Sequence, residues 1–339
     1  MASLRGLYIL DGNQYELVYG PQQRQTIARH VKMIAEPQTH GSITRNPQLL
    51  REVEVIFGGW GMPRVDDAFV ERAPRLKALF YAGGGLVKPP EAVRRGIAIT
   101  TTHQANSQAV AEFCLGQILF SLKHGWRMMR QCRELRGIVD RNTVPGCYRT
   151  TVGLIGLGMI GRKLLKLLAP FELEVLIHDP TLGAEQAAEL GGDQTSLMDL
   201  FQRSDVVSLH ATLNCQTQGM ITAAHLQSIK QGGTFINTAR GGLVRHEEML
   251  QVAKERHDVE FLLDVTDPIE PPRADSPLYE LPNVVLTPHL AGAAGGELRR
   301  HGDWMVQELD RFVKGQPLRW EALPDDPTEL AARARKLAV

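Results

Sequence analysis

An α/β fold in two domains, with parallel sheets flanked by helices, follows from three features of the 339-residue sequence. Short apolar runs alternate with helical stretches from Leu7 to Thr287, as parallel strands joined by helical crossovers do. Six of those runs lie between Thr151 and Thr287, enough for one complete doubly wound sheet. In the first of them, Val152-Gly153-Leu154-Ile155-Gly156-Leu157-Gly158-Met159-Ile160-Gly161, three spaced glycines join a strand to a helix.

The first domain opens with a strand at Leu7 to Leu10 and a helix at Pro21 to His30. Val53 to Phe57 is a continuous apolar strand ending at Gly58 and Gly59, followed by a polar helix at Asp66 to Ala73. A strand at Ala78 to Tyr81 runs into Ala82-Gly83-Gly84-Gly85; a helical turn at Glu91 to Arg95 and a strand at Ile97 to Thr100 complete the set. Three glycines at a strand's carboxyl end suit a loop whose N–H groups face an anion. A plain turn explains them equally.

Asn106 is placed to cap a long helix, Gln108 to His124, with apolar residues at helical spacing. Trp126 to Cys147 is mixed and arginine-rich, and reads as an exposed connection, a subunit-contact arm or plain solvated surface. Beyond it, strands at Val152 to Ile155, Val175 to His178, Val206 to His210, Thr234 to Asn237, Glu260 to Asp264 and Val284 to Thr287 alternate with helices. These helices are Arg162 to Leu168, Leu197 to Arg203, Ala223 to Ser228 and Glu247 to Glu255. A last helix, Gly296 to Lys314, is expected to pack back on the first domain, leaving residues 321–339 as a loosely docked tail.

Within the glycine stretch each glycine has its own task. Gly156 permits the sharp turn, Gly158 has no Cβ to block a pyrophosphate, and Gly161 lets the helix pack closely on the sheet. The helix N-terminus offers unpaired N–H groups to phosphates. A second strand ends at Asp179, 18 residues past Gly161, where a carboxylate accepts hydrogen bonds from ribose hydroxyls and repels a 2′-phosphate. No arginine follows at Pro180, Thr181 or Leu182, so NAD is expected over NADP. A turn-capping role is the plain alternative for Asp179.

Lys plus Arg and Asp plus Glu both number 38, which removes any compositional case for nucleic acid or a membrane surface as partner. The four cysteines, Cys114, Cys132, Cys147 and Cys215, are scattered with no C-x-x-C, as befits reduced thiols in the cytoplasm. No signal-peptide pattern or transmembrane-length apolar run is present, and no metal site is expected.

Three strand ends deliver candidate catalytic groups: Arg240 in Asn237-Thr238-Ala239-Arg240-Gly241-Gly242, the acids of Asp264 to Glu270, and His289 in Thr287-Pro288-His289. With these motifs the chain resembles the D-isomer-specific 2-hydroxyacid dehydrogenases. Ala82 to Gly85 resembles that family's carboxylate-binding loop, Asn106 with Val110-Ala111-Glu112 the start of its cofactor domain, and Ser208 through Gly219 the segment under the nicotinamide ribose.

The resemblance implies a Rossmann-type NAD-binding domain, residues 106–296, inserted into a flavodoxin-like α/β substrate domain, residues 1–105 completed by 297–320. It implies hydride transfer between C2 of a 2-oxo or D-2-hydroxy acid, bound between the domains, and the nicotinamide. Arg240 would hold the substrate carboxylate and polarise the carbonyl; His289 would move the proton; Gly84 and Gly85 would offer N–H groups to the carboxylate. An acid should orient His289. The family's glutamate follows Asp264 by five residues, a position held here by Ile269; a one-residue insertion in the Pro-rich segment brings Glu270 into register, with Asp267 as fallback.

Met159, Ile160 and Thr181 would line the pyrophosphate and adenosine, and His210, Ala211, Thr238, Ala239 and Asp264 the nicotinamide side. A homodimer formed through the Asn106 helix and following arm is also implied. Oxidation of formate or phosphonate is a second reaction for this architecture, and an NAD(H)-binding sensor or co-repressor is the alternative from another class.

Overall fold

The structure is a computed structural model and describes residues 3–322. The chain divides into two compact units, one built from the described residues up to Asn106 and from Ala293 onward, the other Ser107–Gly292.

In the first unit, five parallel strands are ordered β2-β1-β3-β4-β5: β1 Leu4–Ile9, β2 Val31–Met33, β3 Val55–Gly58, β4 Ala78–Tyr81 and β5 Ala98–Thr101. The strands are apolar because both faces are covered. Leu7, Ile9, Ile56 and Leu79 pack on one side; Tyr8, Phe57 and Phe80 pack on the other, where helix Leu298–Val313 adds Leu298, Met305 and Leu309.

The second unit holds seven parallel strands in the order β12-β11-β10-β9-β6-β7-β8. They are β6 Tyr148–Ile155, β7 Glu172–His178, β8 Asp193–Gln194, β9 Val206–Leu209, β10 Thr234–Asn237, β11 Glu260–Leu263 and β12 Val284–Leu286. The winding reverses between β6 and β9, the switch point where ligands collect at strand carboxyl ends, and the glycine stretch leaves β6 there. Helix Met159–Leu168 follows, burying Gly161, Leu164, Leu165 and Leu168 at the spacing that keeps one face inward.

Three sequence expectations need correction. The long helix runs His103–Ser121, so Asn106 lies inside it, and its Oδ1 instead accepts the Ala293 N–H at 2.9 Å. The segment Trp126 to Cys147, for which no helix is expected, is helical as far as Leu135, within helix Gly125–Leu135. The sheet has seven strands rather than six, because the two-residue β8 adds an edge. Of the expected tail, Glu321 and Ala322 line up with β5, where Ala322 N donates to Ile99 O; residues 323–339 lie outside the described residues.

Candidate active site

Gly156 ends β6 in the left-handed region at φ +88, and a Cβ there would sit 2.7 Å from Ala211 N. Only glycine lets the loop lie directly on the His210–Ala211 backbone. A Cβ on Gly161 would meet Gly156 O at 2.3 Å, so helix and loop are packed without a side chain between them. Gly158 differs. As N-cap of the ten-residue helix it has open space where a Cβ would go, so its smallness accommodates nothing among the described residues. Met159 is partly exposed beside it and Ile160 is half-buried.

Asp179, just past β7, is tied to this loop. Its Oδ2 accepts from Leu157 N at 2.7 Å, and its Oδ1 from Thr181 N at 2.9 Å and Thr181 Oγ1 at 2.7 Å. Burial works against its charge, but the Thr181 hydroxyl and amide and the Leu157 amide outweigh that and hold the carboxyl below its ordinary value. The turn-capping role is therefore realised, on a carboxylate that stays ionised and half-exposed. His210 sits under Gly156 with Nε2 2.9 Å from Ser208 Oγ, while its buried Nδ1 has no partner among the described residues. Burial pushes this imidazole down to about 4, so it is neutral near pH 7.

At the end of β10, the buried Asn237 staples the next turn, its Oδ1 accepting Ala239 N at 3.0 Å and its Nδ2 donating to Arg240 O at 3.1 Å. Thr238 turns inward, 3.2 Å from Cys114 Sγ. Gly241 abuts the Thr266 backbone, where a Cβ would come within 2.2 Å. The extended Arg240 is thus held on a fixed turn with its side chain exposed, donating from Nη1 to Ala239 O at 2.6 Å.

Asp264, at the end of β11, is 3% exposed and fully engaged. Its Oδ1 accepts from Thr287 Oγ1 at 2.5 Å and Leu290 N at 2.6 Å, and its Oδ2 from Ala291 N at 2.9 Å. These bonds bracket His289, whose backbone takes φ +52 and whose N–H reaches Asp264 O at 3.2 Å. A non-glycine residue in that region needs its surroundings to hold it there. From this seat, His289 Nδ1 meets Glu270 Oε1 at 2.5 Å. Ile269 is 52% exposed, its carbonyl accepting from Thr266 Oγ1, while Asp267 lies beside Gly242.

In the first unit the glycine loop leaves β4, with Gly85 at φ +82. The Gly85 N–H is donated to His103 Nε2 at 2.9 Å, so an imidazole already occupies one of the two amides offered for a carboxylate. Sequence reasoning passed over His103, as it did Asn237 and Thr287. No cluster of metal-ligating side chains and no helix of membrane-spanning length and apolarity exist among the described residues.

The family model described as D-isomer specific 2-hydroxyacid dehydrogenase, NAD binding domain, matches residues 115–291. The chain belongs to the D-isomer-specific 2-hydroxyacid dehydrogenase family. Among similar proteins, a D-3-phosphoglycerate dehydrogenase of Mycobacterium leprae is 33% identical over 74% of this chain and 48% of its own length. A glyoxylate reductase of Thermofilum pendens is 32% identical over 75% of this chain and 76% of its own length. The chain thus spans about half the length of several of these relatives, including the Mycobacterium leprae enzyme. The solved D-mandelate dehydrogenase of Rhodotorula graminis, 23% identical, shares the fold with TM-score 0.76 over 95% of this chain and 98% of its own.

Like its family, the chain takes NAD, and its residues fit that dinucleotide. The space beside Gly158 at a helix N-terminus suits a pyrophosphate, the ionised Asp179 suits ribose hydroxyls, and His210 Nδ1 is a buried polar atom still to be satisfied.

Proposed function

We propose that the chain is an NAD-dependent oxidoreductase that interconverts a 2-oxo acid and a D-2-hydroxy acid, with His289 as acid and base, Glu270 as its partner and Arg240 on the substrate carboxylate and carbonyl. The observation that carries this reading is the 2.5 Å approach of Glu270 to His289 Nδ1 at the sheet's carboxyl edge. A carboxylate on Nδ1 fixes the ring's orientation and leaves Nε2 for the substrate oxygen. The names of similar chains, glyoxylate reductase and D-3-phosphoglycerate dehydrogenase, support a reaction of this class.

When bound, NAD supplies the hydride acceptor or donor at its nicotinamide ring. In reduction His289 gives its Nε2 proton to the carbonyl oxygen as C2 gains the hydride; in oxidation the same nitrogen takes the hydroxyl proton. The planar guanidinium of Arg240 pairs with the carboxylate and stabilises the charge developing on the carbonyl oxygen. Gly158, Met159, Ile160, Gly161, Asp179 and Thr181 serve the dinucleotide's phosphates and adenosine side; His210, Ala211, Thr238 and Ala239 serve its nicotinamide side. Asp264 acts through its hold on the His289 loop.

The test is NADH consumption with glyoxylate, pyruvate, hydroxypyruvate and phenylpyruvate. Arg240→Ala should lower kcat/KM on the order of 100- to 1,000-fold while NADH still binds. A persistent blank despite tight NADH binding would refute the reading in favour of the sensor.

We also propose a cytoplasmic homodimer. Met129, Leu135 and Ile138, exposed by 46, 62 and 98%, form its contact on and after helix Gly125–Leu135. Sedimentation giving a monomer at micromolar concentration would remove that part.

A further inference from the structure

Beside the glycine loop, the first unit has a cavity of about 570 Å³, within the range of small-molecule sites. Two apolar side chains reach it over glycines. A Cβ on Gly58, at the end of β3, would sit 2.6 Å from Met62 Sδ, and a Cβ on Gly83 would sit 2.7 Å from the Tyr81 ring. Met62, Tyr81 and Leu86 are half-buried and packed against the core below, with Val87 at the rim, 38% exposed. Gly85, whose N–H the family resemblance offers to the substrate carboxylate alongside Arg240, lines the same cavity.

Its charges are unsuited to a second anionic group. Among the described residues, Arg64 is the one cation lining it, against Asp66 and Asp67. Those aspartates are fixed as acceptors, Asp66 for Phe69 N at 2.9 Å and Asp67 for Glu91 N at 2.8 Å. Lys88, which follows the loop, is 12% exposed and neutralised by Glu321 at 3.1 Å. A phosphate or second carboxylate calls for an excess of paired basic groups, and here the acids outnumber the base.

We propose that this cavity receives the side chain of the 2-oxo acid, and that the substrates are monocarboxylates with a large uncharged, apolar or aromatic side chain. The inference rests on the reaction proposed above. Once the carboxylate sits on the glycine loop, a bulky apolar group lies on Tyr81 and Met62, where its burial is gained, while a small substrate leaves that surface wet.

The experiment compares kcat/KM for phenylpyruvate and 4-methyl-2-oxopentanoate with glyoxylate, hydroxypyruvate, oxaloacetate and 3-phosphohydroxypyruvate, NADH being saturating. The apolar pair should lead by at least about tenfold. Met62→Glu, and Val87→Asp at the rim should the first variant fold poorly, should each cut the phenylpyruvate-to-glyoxylate ratio by at least about tenfold. Thermal melting and retained glyoxylate turnover report folding of each variant. Turnover that favours glyoxylate, a dicarboxylate or the phosphorylated acid overturns the inference and leaves the reaction standing. A blank with every 2-oxo acid overturns both.

Discussion

The carboxyl edges of the two sheets treat their polar groups in opposite ways. In the seven-stranded sheet the nearly buried Asp264 spends its carboxylate on Thr287, Leu290 and Ala291, so the His289 backbone is set before any ligand arrives. In the five-stranded sheet the Gly85 amide is exposed, and the His103 ring that accepts from it is exposed too. A buried, satisfied carboxylate is costly to disturb, whereas an exposed hydrogen bond exchanges readily with water or a ligand. On the proposed reaction, the chemistry falls to the stiff edge and substrate selection to the yielding one.

The contrast breaks most directly at Asp264. Asp264→Ala leaves the Ala291 and Leu290 amides without their acceptor, and should cost about 3 kcal/mol of stability. It should also lower kcat at least about 100-fold as His289 loses its geometry. Urea unfolding and steady-state kinetics read both, and an unchanged kcat would mean that the His289 loop holds itself.

The stiff edge should also be sensitive to acid. His210 is held neutral to about pH 4 by burial, against an ordinary value of 6.5. Between those values the unfolded chain binds more protons than the folded one. The contribution is whole above pH 6.5 and is lost as pH falls toward 4, an amount of about 3 kcal/mol. His210→Asn should flatten the acid limb of a stability-against-pH curve; an unaltered limb would place the titration elsewhere.

Gly156→Ala combines a left-handed φ with a clash on the Ala211 backbone, and should cost about 2 kcal/mol with at least tenfold weaker NADH binding. Gly158→Ala separates fold from ligand, because its added methyl meets open space. The melting temperature should hold while NADH affinity falls, and retention of both would move the pyrophosphate elsewhere. The smallest effect belongs to the yielding edge. His103→Ala should change stability by less than about 0.5 kcal/mol and KM for a 2-oxo acid only a few-fold; a collapse of kcat would show that edge to be as rigid as the other.

Much of this was readable from the chain alone. Arg240 and His289 follow strands whose apolar runs are unmistakable, and parallel sheets gather ligands at such ends. The three glycines of β6 carried their conformational reasons in their spacing. His103 was not readable, because its partner Gly85 lies 18 residues away and a single histidine has no periodic signal. Asn106 has a side chain that suits a helix start, but the Ala293 amide claims it, a contact from the far end of the sequence. Helix Gly125–Leu135 was hidden by its arginines, two of which, Arg127 and Arg130, turn to the nearly buried Glu260. The strands β2 and β8 are three and two residues long, too short to show alternation.

Local chemistry determined the α/β class, the two sheets, the dinucleotide loop and the pool of reactive side chains, since each depends on residues within a turn or two of one another. Which acid meets His289 depended on the route of the loop from Thr266 to Pro271. There the Ile269 carbonyl is held by Thr266 while its side chain faces solvent, and Glu270 turns toward the imidazole. Spacing along the sequence narrows the choice to Glu270, Ile269 and Asp267, with Glu270 favoured by a one-residue insertion; contacts between segments that the chain keeps apart complete it.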